Sequence, residues 1–132
     1  MRILGIDYGR KKIGLALATS KIAEPYVVLR VHKAEEALKK IKDIVGKEKI
    51  EKVVIGVSEG KMAGETMEFA GRLEKKLKIP IGFQDETLTS LEAQKRAIEA
   101  KVKKKKRKEM EDAYSAALIL QAYIDNTSSL KE

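Results

Sequence analysis

The sequence predicts an α/β fold in which helices flank a mixed five-stranded sheet. Three observations lead there. Short β-branched or small apolar runs suited to strands dominate the first part of the chain, and runs of three- and four-residue apolar spacing suited to helices follow. The order of these runs is three strands, then alternating helices and strands, then two helices. A chain of 132 residues can bury a real core yet is too short for two ordinary domains, so one domain over residues 1–132 is expected.

The elements follow in order. "RILGID", residues 2–7, reads as a buried strand ending at Asp7, and "KIGLALAT", residues 12–19, as a second. The "YGRK" between them is a tight turn, with Gly9 suited to a positive φ. "PYVVLRV", residues 25–31, makes a third strand opened by a proline, which a strand start tolerates. From Lys33 to Glu48, Ala34, Ala37, Leu38, Ile41, Ile44 and Val45 share one helical face, and Gly46 stands where glycine commonly ends helices. "KVVIGVS", residues 52–58, is an apolar run of the kind found in a strand covered on both faces. "EGKMAG" then reads as a loop before a helix over residues 65–78, with Met67, Ala70, Leu73 and Leu77 on one face. "PIGFQD", residues 80–85, is the fifth strand; Thr89 with Glu92 forms a capping-box pattern for the next helix; and residues 110–124 form the last. Three leading strands suit a meander, and the alternating units imply parallel strands with right-handed crossovers. This is the element order of the ribonuclease H-like fold.

Composition narrows the chemistry. No apolar run approaches the roughly 18 residues of a membrane span, and "MRILGID" lacks the features of a secretory signal, so the cytoplasm is expected and no membrane partner. The chain contains no Cys, which excludes disulfides and thiolate zinc sites. Its net charge of +8 is concentrated: Lys101, Lys103, Lys104, Lys105, Lys106, Arg107 and Lys108 supply seven positive charges, and without them the balance is 8 − 7 = +1. Such a block repels itself, so residues 101–108 are expected to form an exposed loop whose natural partner is a polyanion; a merely solubilising loop is the plainer alternative.

The acids mark a site. Asp7 ends the first strand, Asp85 and Glu86 end the fifth, and Asp112 opens the last helix. With the first strand central and parallel to the fourth and fifth, their carboxyl ends share one edge, outside which ligands bind. Carboxylates gathered in one small volume need a cation. Oxygen donors, with His32 the one imidazole, favour Mg²⁺ or Mn²⁺. Two such ions about 4 Å apart would hold a phosphodiester and activate water. Each acid also has an ordinary explanation: a turn former for Asp7, loop acids for Asp85 and Glu86, a helix-dipole partner for Asp112. Glu109 suits a salt bridge with nearby lysines, and His32 a surface position. Adjacent strand residues point to opposite faces, so the choice between Asp85 and Glu86 stays open.

With these residues in view, the chain resembles the YqgF/RuvX family, Holliday-junction-resolvase-like proteins also described as pre-16S rRNA nucleases. The similarity spans nearly the whole chain and rests on "RILGIDYGRKKIGLAL", "VVIGV", "DETLTSLEA" and "DAYSAALILQAYI". The resemblance implies the ribonuclease H-like fold, metal-dependent nuclease chemistry and catalytic acids at Asp7, Glu86 and Asp112, with Asp85 as the competing ligand. It departs from the family pattern in three places: "GVSEGKMAGE" replaces a Pro-Leu-Asn-like loop, Thr87 stands where the family writes Arg, and Thr19 where it often has Asp. Three functions compete. The first is a metal-dependent endonuclease on structured nucleic acid, either pre-16S rRNA or a branched DNA such as a Holliday junction. The second is a non-catalytic nucleic-acid-binding or ribosome-associated factor. The third, a phosphotransfer fold, fails on size because such enzymes close two domains around a nucleotide. With no Cys and no Ser-His pairing, water is the expected nucleophile.

Overall fold

The computed structural model describes residues 1–58, 60–86 and 109–130. These form β1 (Ile3–Asp7), β2 (Lys12–Ala18), β3 (Ala23–Arg30), α1 (Ala34–Lys47), β4 (Lys52–Val57), α2 (Lys61–Leu77), β5 (Ile81–Asp85) and α3 (Glu111–Leu130). The sheet order is β3-β2-β1-β4-β5, with β1 at the centre. β1, β2 and β3 pair antiparallel as a meander. β4 joins β1, and β5 joins β4, in parallel. The expected α/β class with a mixed five-stranded sheet is therefore what the chain forms, and the carboxyl ends of β1, β4 and β5 share one edge.

Strand alternation divides the side chains between two unlike layers. On one face Leu4, Ile6, Ile13, Leu15, Val53 and Ile55 pack with Ala37, Leu38 and Ile41 of α1 and with Phe69, Ala70 and Leu73 of α2. Fully buried residues of this size stabilise the fold by about 1.5–3 kcal/mol each. The other face is built from small residues. Ala16, Ala18 and Val54 meet Ala116, Ala117, Ile119, Leu120 and Ile124 of α3, and this one helix touches all five strands. Glycines set how close it comes. A Cβ at Gly5 would lie 2.8 Å from Leu120 Cβ, and one at Gly14 only 1.9 Å from the carbonyl oxygen of Asp112. The first turn of α3 is thus seated on the bare backbone of β2.

Several local expectations need correction. Gly9 does not adopt a positive φ; its hydrogen is needed because a Cβ there would stand 2.5 Å from the Lys12 carbonyl oxygen across the turn. β3 begins at Ala23, two residues before Pro25. The proline is tolerated inside because β3 is an edge strand. Pro25 pairs with Ala16, where the register shifts. Gly46 lies within α1; the chain leaves the helix after the Glu48 N–H bonds Ile44 O, and it is Lys49 that turns left-handed at φ 54°. α2 starts at Lys61, not Glu65, because Gly60 at φ 102° redirects the chain early and draws most of the expected loop into the helix. α3 runs on to Leu130. The helix expected from Thr89 and the basic run 101–108 lie outside the described residues.

Two glycine substitutions should separate close approach from ordinary helix propensity. Gly14→Ala forces a methyl group into the Asp112 backbone and is expected to cost about 1–3 kcal/mol. Gly46→Ala meets nothing within 4 Å and should stabilise by about 0.5–1 kcal/mol. Urea denaturation of both variants measures the contrast; an unchanged midpoint for Gly14→Ala would mean that α3 is free to lift from β2.

Candidate active site

Strand parity decides which acids can meet. Gly5 faces α3, so Asp7, two residues on, faces the same layer. In β5, a Cβ at Gly82 would be 3.4 Å from the Tyr123 ring of α3, which puts Gln84 and then Glu86 on that face too. Asp85 faces the other way. It is exposed, and it lines a hollow of about 390 Å³ with Val57, Ser58, Met67, Phe83 and Gln84. Of the two adjacent acids, Glu86 shares the layer of Asp7.

Glu86 also reaches Asp7. Its N–H donates to Val57 O at 3.0 Å, so the strand ladder continues one residue past β5. Between the two acids lies β4, whose pairing of Ile55 with Ile6 brings Gly56 level with Asp7. A Cβ at Gly56 would stand 2.5 Å from Glu86 Oε1 and 2.5 Å from Ile119 Cδ1. The Glu86 side chain therefore crosses β4 over a glycine, and its carboxyl shares a hydrogen bond with that of Asp7. Burial pushes the Glu86 carboxyl above its ordinary range; the bond with Asp7 draws it back, and the charge of Asp85 raises it further. Two carboxyl groups in hydrogen-bond contact hold together only with a proton or a cation between them.

Asp112 arrives from the third direction. Asp7 pairs with Gly14, and the Asp112 backbone is pressed against Gly14, so α3 begins beside the end of β1. Asp112 is half-buried. Among the described residues no three acidic or histidine side chains converge tightly enough to enclose an ion. The three carboxylates that the sequence suggests do not converge here: Asp7 and Glu86 meet, while of Asp112 it is the backbone at the start of α3 that packs next to them. The donor set fits a hard divalent cation: all its donors are oxygens, and the pair already requires a positive partner. His32 is exposed on the surface after β3. Lys101, Lys103, Lys104, Lys105, Lys106, Arg107 and Lys108 lie outside the described residues.

Sequence reasoning missed Gly14 and Gly56, which carry no chemistry but make the room. The signal was present as a glycine inside each of two otherwise apolar strands, a mark of close approach by another segment.

Comparison with known proteins follows the same lines. A family model described as "RuvX: Holliday junction resolvase" matches residues 1–126. A protein of Syntrophomonas wolfei named "Putative pre-16S rRNA nuclease" is 36% identical, with 100% of this chain and 99% of the relative covered. A relative of the same name from Caldanaerobacter subterraneus is 38% identical, over 96% of this chain and 97% of its own. Among solved structures, T. thermophilus RuvC in complex with a Holliday junction substrate superposes with a TM-score of 0.68 at 15% identity, over 96% of both chains. The Fowlpox virus resolvase in complex with Holliday junction DNA does so with a TM-score of 0.63 at 11% identity, over 96% of this chain and 99% of that one. At such identities the two structures establish the shared ribonuclease H-like fold.

The raised Glu86 carboxyl makes stability depend on pH when divalent ions are chelated. The folded chain holds this proton more tightly than the unfolded chain does. Its contribution is full below the ordinary value near 4.5 and is lost as pH rises through the higher folded value. Glu86→Gln stays neutral and should not lose stability in that window. Urea denaturation in EDTA from pH 4 to 8 should therefore show wild type losing stability relative to Glu86→Gln as pH rises, and a pH-independent difference would contradict the burial of this carboxyl.

Proposed function

This chain belongs to the RuvX family, and from that membership we propose that it is a Mg²⁺- or Mn²⁺-dependent endonuclease hydrolysing phosphodiesters of structured nucleic acid. Pre-16S rRNA is the proposed substrate, with branched DNA of the Holliday-junction kind as the second. The nuclease reading is supported by the names of the relatives and by the fold shared with resolvases. The observation that carries it to particular residues is the joined carboxyl pair Asp7–Glu86 at the carboxyl edge of the central strands, with the start of α3 packed alongside.

Asp7, Glu86 and Asp112 would hold the metal. When bound, it would neutralise phosphate oxygens and lower the pKa of the attacking water. The chain's own contribution is position. Asp7 is fixed at the end of the central strand, paired with Gly14 of β2, and the strand it ends is paired on both sides. Glu86, half-buried beside Gly56, keeps its carboxyl on Asp7 in a setting less hydrated than the surface, where charge interactions are stronger. Water is the nucleophile, since the chain has no Cys and its single His is exposed. The seven basic residues from Lys101 to Lys108, directly before the helix of Asp112 in sequence, would hold phosphates outside the site. No described helix is long and apolar enough to cross a membrane, and a single domain acting in the cytoplasm suits these substrates.

Asp7→Asn and Asp112→Asn should each lower cleavage of a structured RNA or a four-way DNA junction by roughly two orders of magnitude or more, in keeping with the several kcal/mol a bound ion supplies. EDTA should do the same to wild type, and added Mg²⁺ or Mn²⁺ should restore it. Cleavage retained in Asp7→Asn would place the activity elsewhere, and binding without cleavage by wild type over a broad substrate panel would favour a non-catalytic factor. With about four of the seven basic residues engaging phosphates, replacing all seven by Ser should flatten the slope of log K against log salt by roughly 3–4 units, about 0.9 for each lost duplex phosphate contact. An unchanged slope would make the run a solubilising segment.

A further inference from the structure

The turn that follows Asp7 carries charge that the site described above does not use. Arg10 and Lys11 lie in it and Lys12 opens β2, all three exposed at the edge where β1 ends. The turn is held against α2 at two points. The Tyr8 ring rests on Phe69 with centroids 4.5 Å apart, and Arg10 Nε donates to both carboxylate oxygens of Glu65, at 2.9 and 3.1 Å.

The form of this ion pair is informative. Only Nε is engaged; neither Nη group of Arg10 has a partner among the described residues. The pair is exposed, with side-chain exposures of 68% for Arg10 and 39% for Glu65, and exposed pairs contribute about 0–1 kcal/mol. Glu65 is therefore a weak holder. A phosphate would take the fork formed by Nε and one Nη, a two-pronged, charge-assisted contact that Glu65, held on Nε alone, does not make. Farther along α2 the charges are mixed: Glu68 and Arg72 border a hollow of about 160 Å³ with Tyr8, Glu65 and Phe69.

We propose that Arg10 binds a backbone phosphate of the nucleic acid beside the Asp7–Glu86 pair, and that Glu65 is its placeholder in the free protein. The inference rests on the nuclease reading above. Binding exchanges one anion for another at Arg10. Glu65 keeps the guanidinium ordered beforehand, at the cost of competing with the phosphate. Removing Glu65 should consequently strengthen binding, and only through Arg10.

The test is a double-variant cycle on binding to a four-way DNA junction and to a stem-loop RNA, in EDTA so that nothing is cleaved, at several salt concentrations. Glu65→Gln should tighten binding up to about fivefold, the equivalent of an exposed pair released. Arg10→Gln should weaken binding and reduce the salt slope for the junction by about 0.9, and in its background Glu65→Gln should have no further effect. Arg10→Lys, which keeps the charge without the fork, should restore the slope but only part of the affinity. Glu68→Gln makes the same change in net charge one turn away and provides the control. The proposal is overturned if Glu65→Gln acts equally with or without Arg10, if it does no more than Glu68→Gln, or if Arg10→Gln binds as wild type does while melting at the same temperature. It is also overturned if Arg10→Lys is as impaired in slope as Arg10→Gln, since the loss would then come from a disturbed turn. Failure of wild type to bind either probe would instead remove the nuclease reading, and this inference with it.

Discussion

The close seating of α3 on the sheet is the constraint on which the rest of the structure depends. Side chains normally fill the gap between a helix and the sheet it covers and hold the two backbones apart. Here glycines at positions 5, 14 and 56 and alanines along α3 remove that filling, and helix atoms come within contact distance of strand backbone. The same helix is secured again near its middle. Gln121 accepts from the Ala23 N–H at 2.9 Å and donates to Lys21 O at 2.8 Å, while Lys52 Nζ donates to the Tyr123 hydroxyl. Fixed in this way along its length, α3 has little freedom in where its first turn lies, and so Asp112 begins beside Asp7.

The opposite layer supplies the cohesion that lets this face be so economical in side chains. Large residues of α1 and α2 pack against β1, β2 and β4 and hold the sheet together from behind. Against that support a half-buried acid is tolerable. Glu86 loses hydration on being drawn over Gly56, and its pKa rises in response; the contact with Asp7 compensates only while a positive partner is shared. A pair of acids that is unfavourable by itself is what the proposed metal-dependent hydrolysis would call for. The cost is carried by the packing elsewhere.

The β1–β2 turn links the two layers. Its backbone leaves from Asp7 on the α3 side, while Tyr8 and Arg10 anchor it to α2 on the other. The aromatic contact is the sturdier anchor, because an exposed ion pair contributes little. The turn thus keeps its place when Arg10 changes partner, and Asp7 is undisturbed by events a few residues along the chain.

Much of this was legible in the residues. β-branched runs and helical spacing specify strands and helices locally, so the element order, the meander and the central place of β1 follow from them. The same order puts Asp7 and Glu86 at one edge, because parallel strands end on the same side; it is the seat of α3 on Gly14 that brings the start of the Asp112 helix beside it. What the residues left open was orientation. Asp85 and Glu86 are neighbours of equal chemistry, and a strand's pleat turns one of them away; which one depends on the register of β5 against β4 and of β4 against β1, a property of pairing between distant segments. Gly46 and Gly60 mislead for a related reason. Each is compatible with ending or starting a helix, and the choice was made by neighbours, Lys49 turning left-handed and Gly60 turning early. Gly14 and Gly56 read as small residues in apolar strands until α3, about a hundred positions further along, comes to rest on Gly14 and the Glu86 side chain crosses Gly56. Local sequence determined which segments extend and which coil, since that depends on backbone and nearest neighbours. The tertiary structure decided which acids touch, since that depends on how closely segments far apart in the chain can approach.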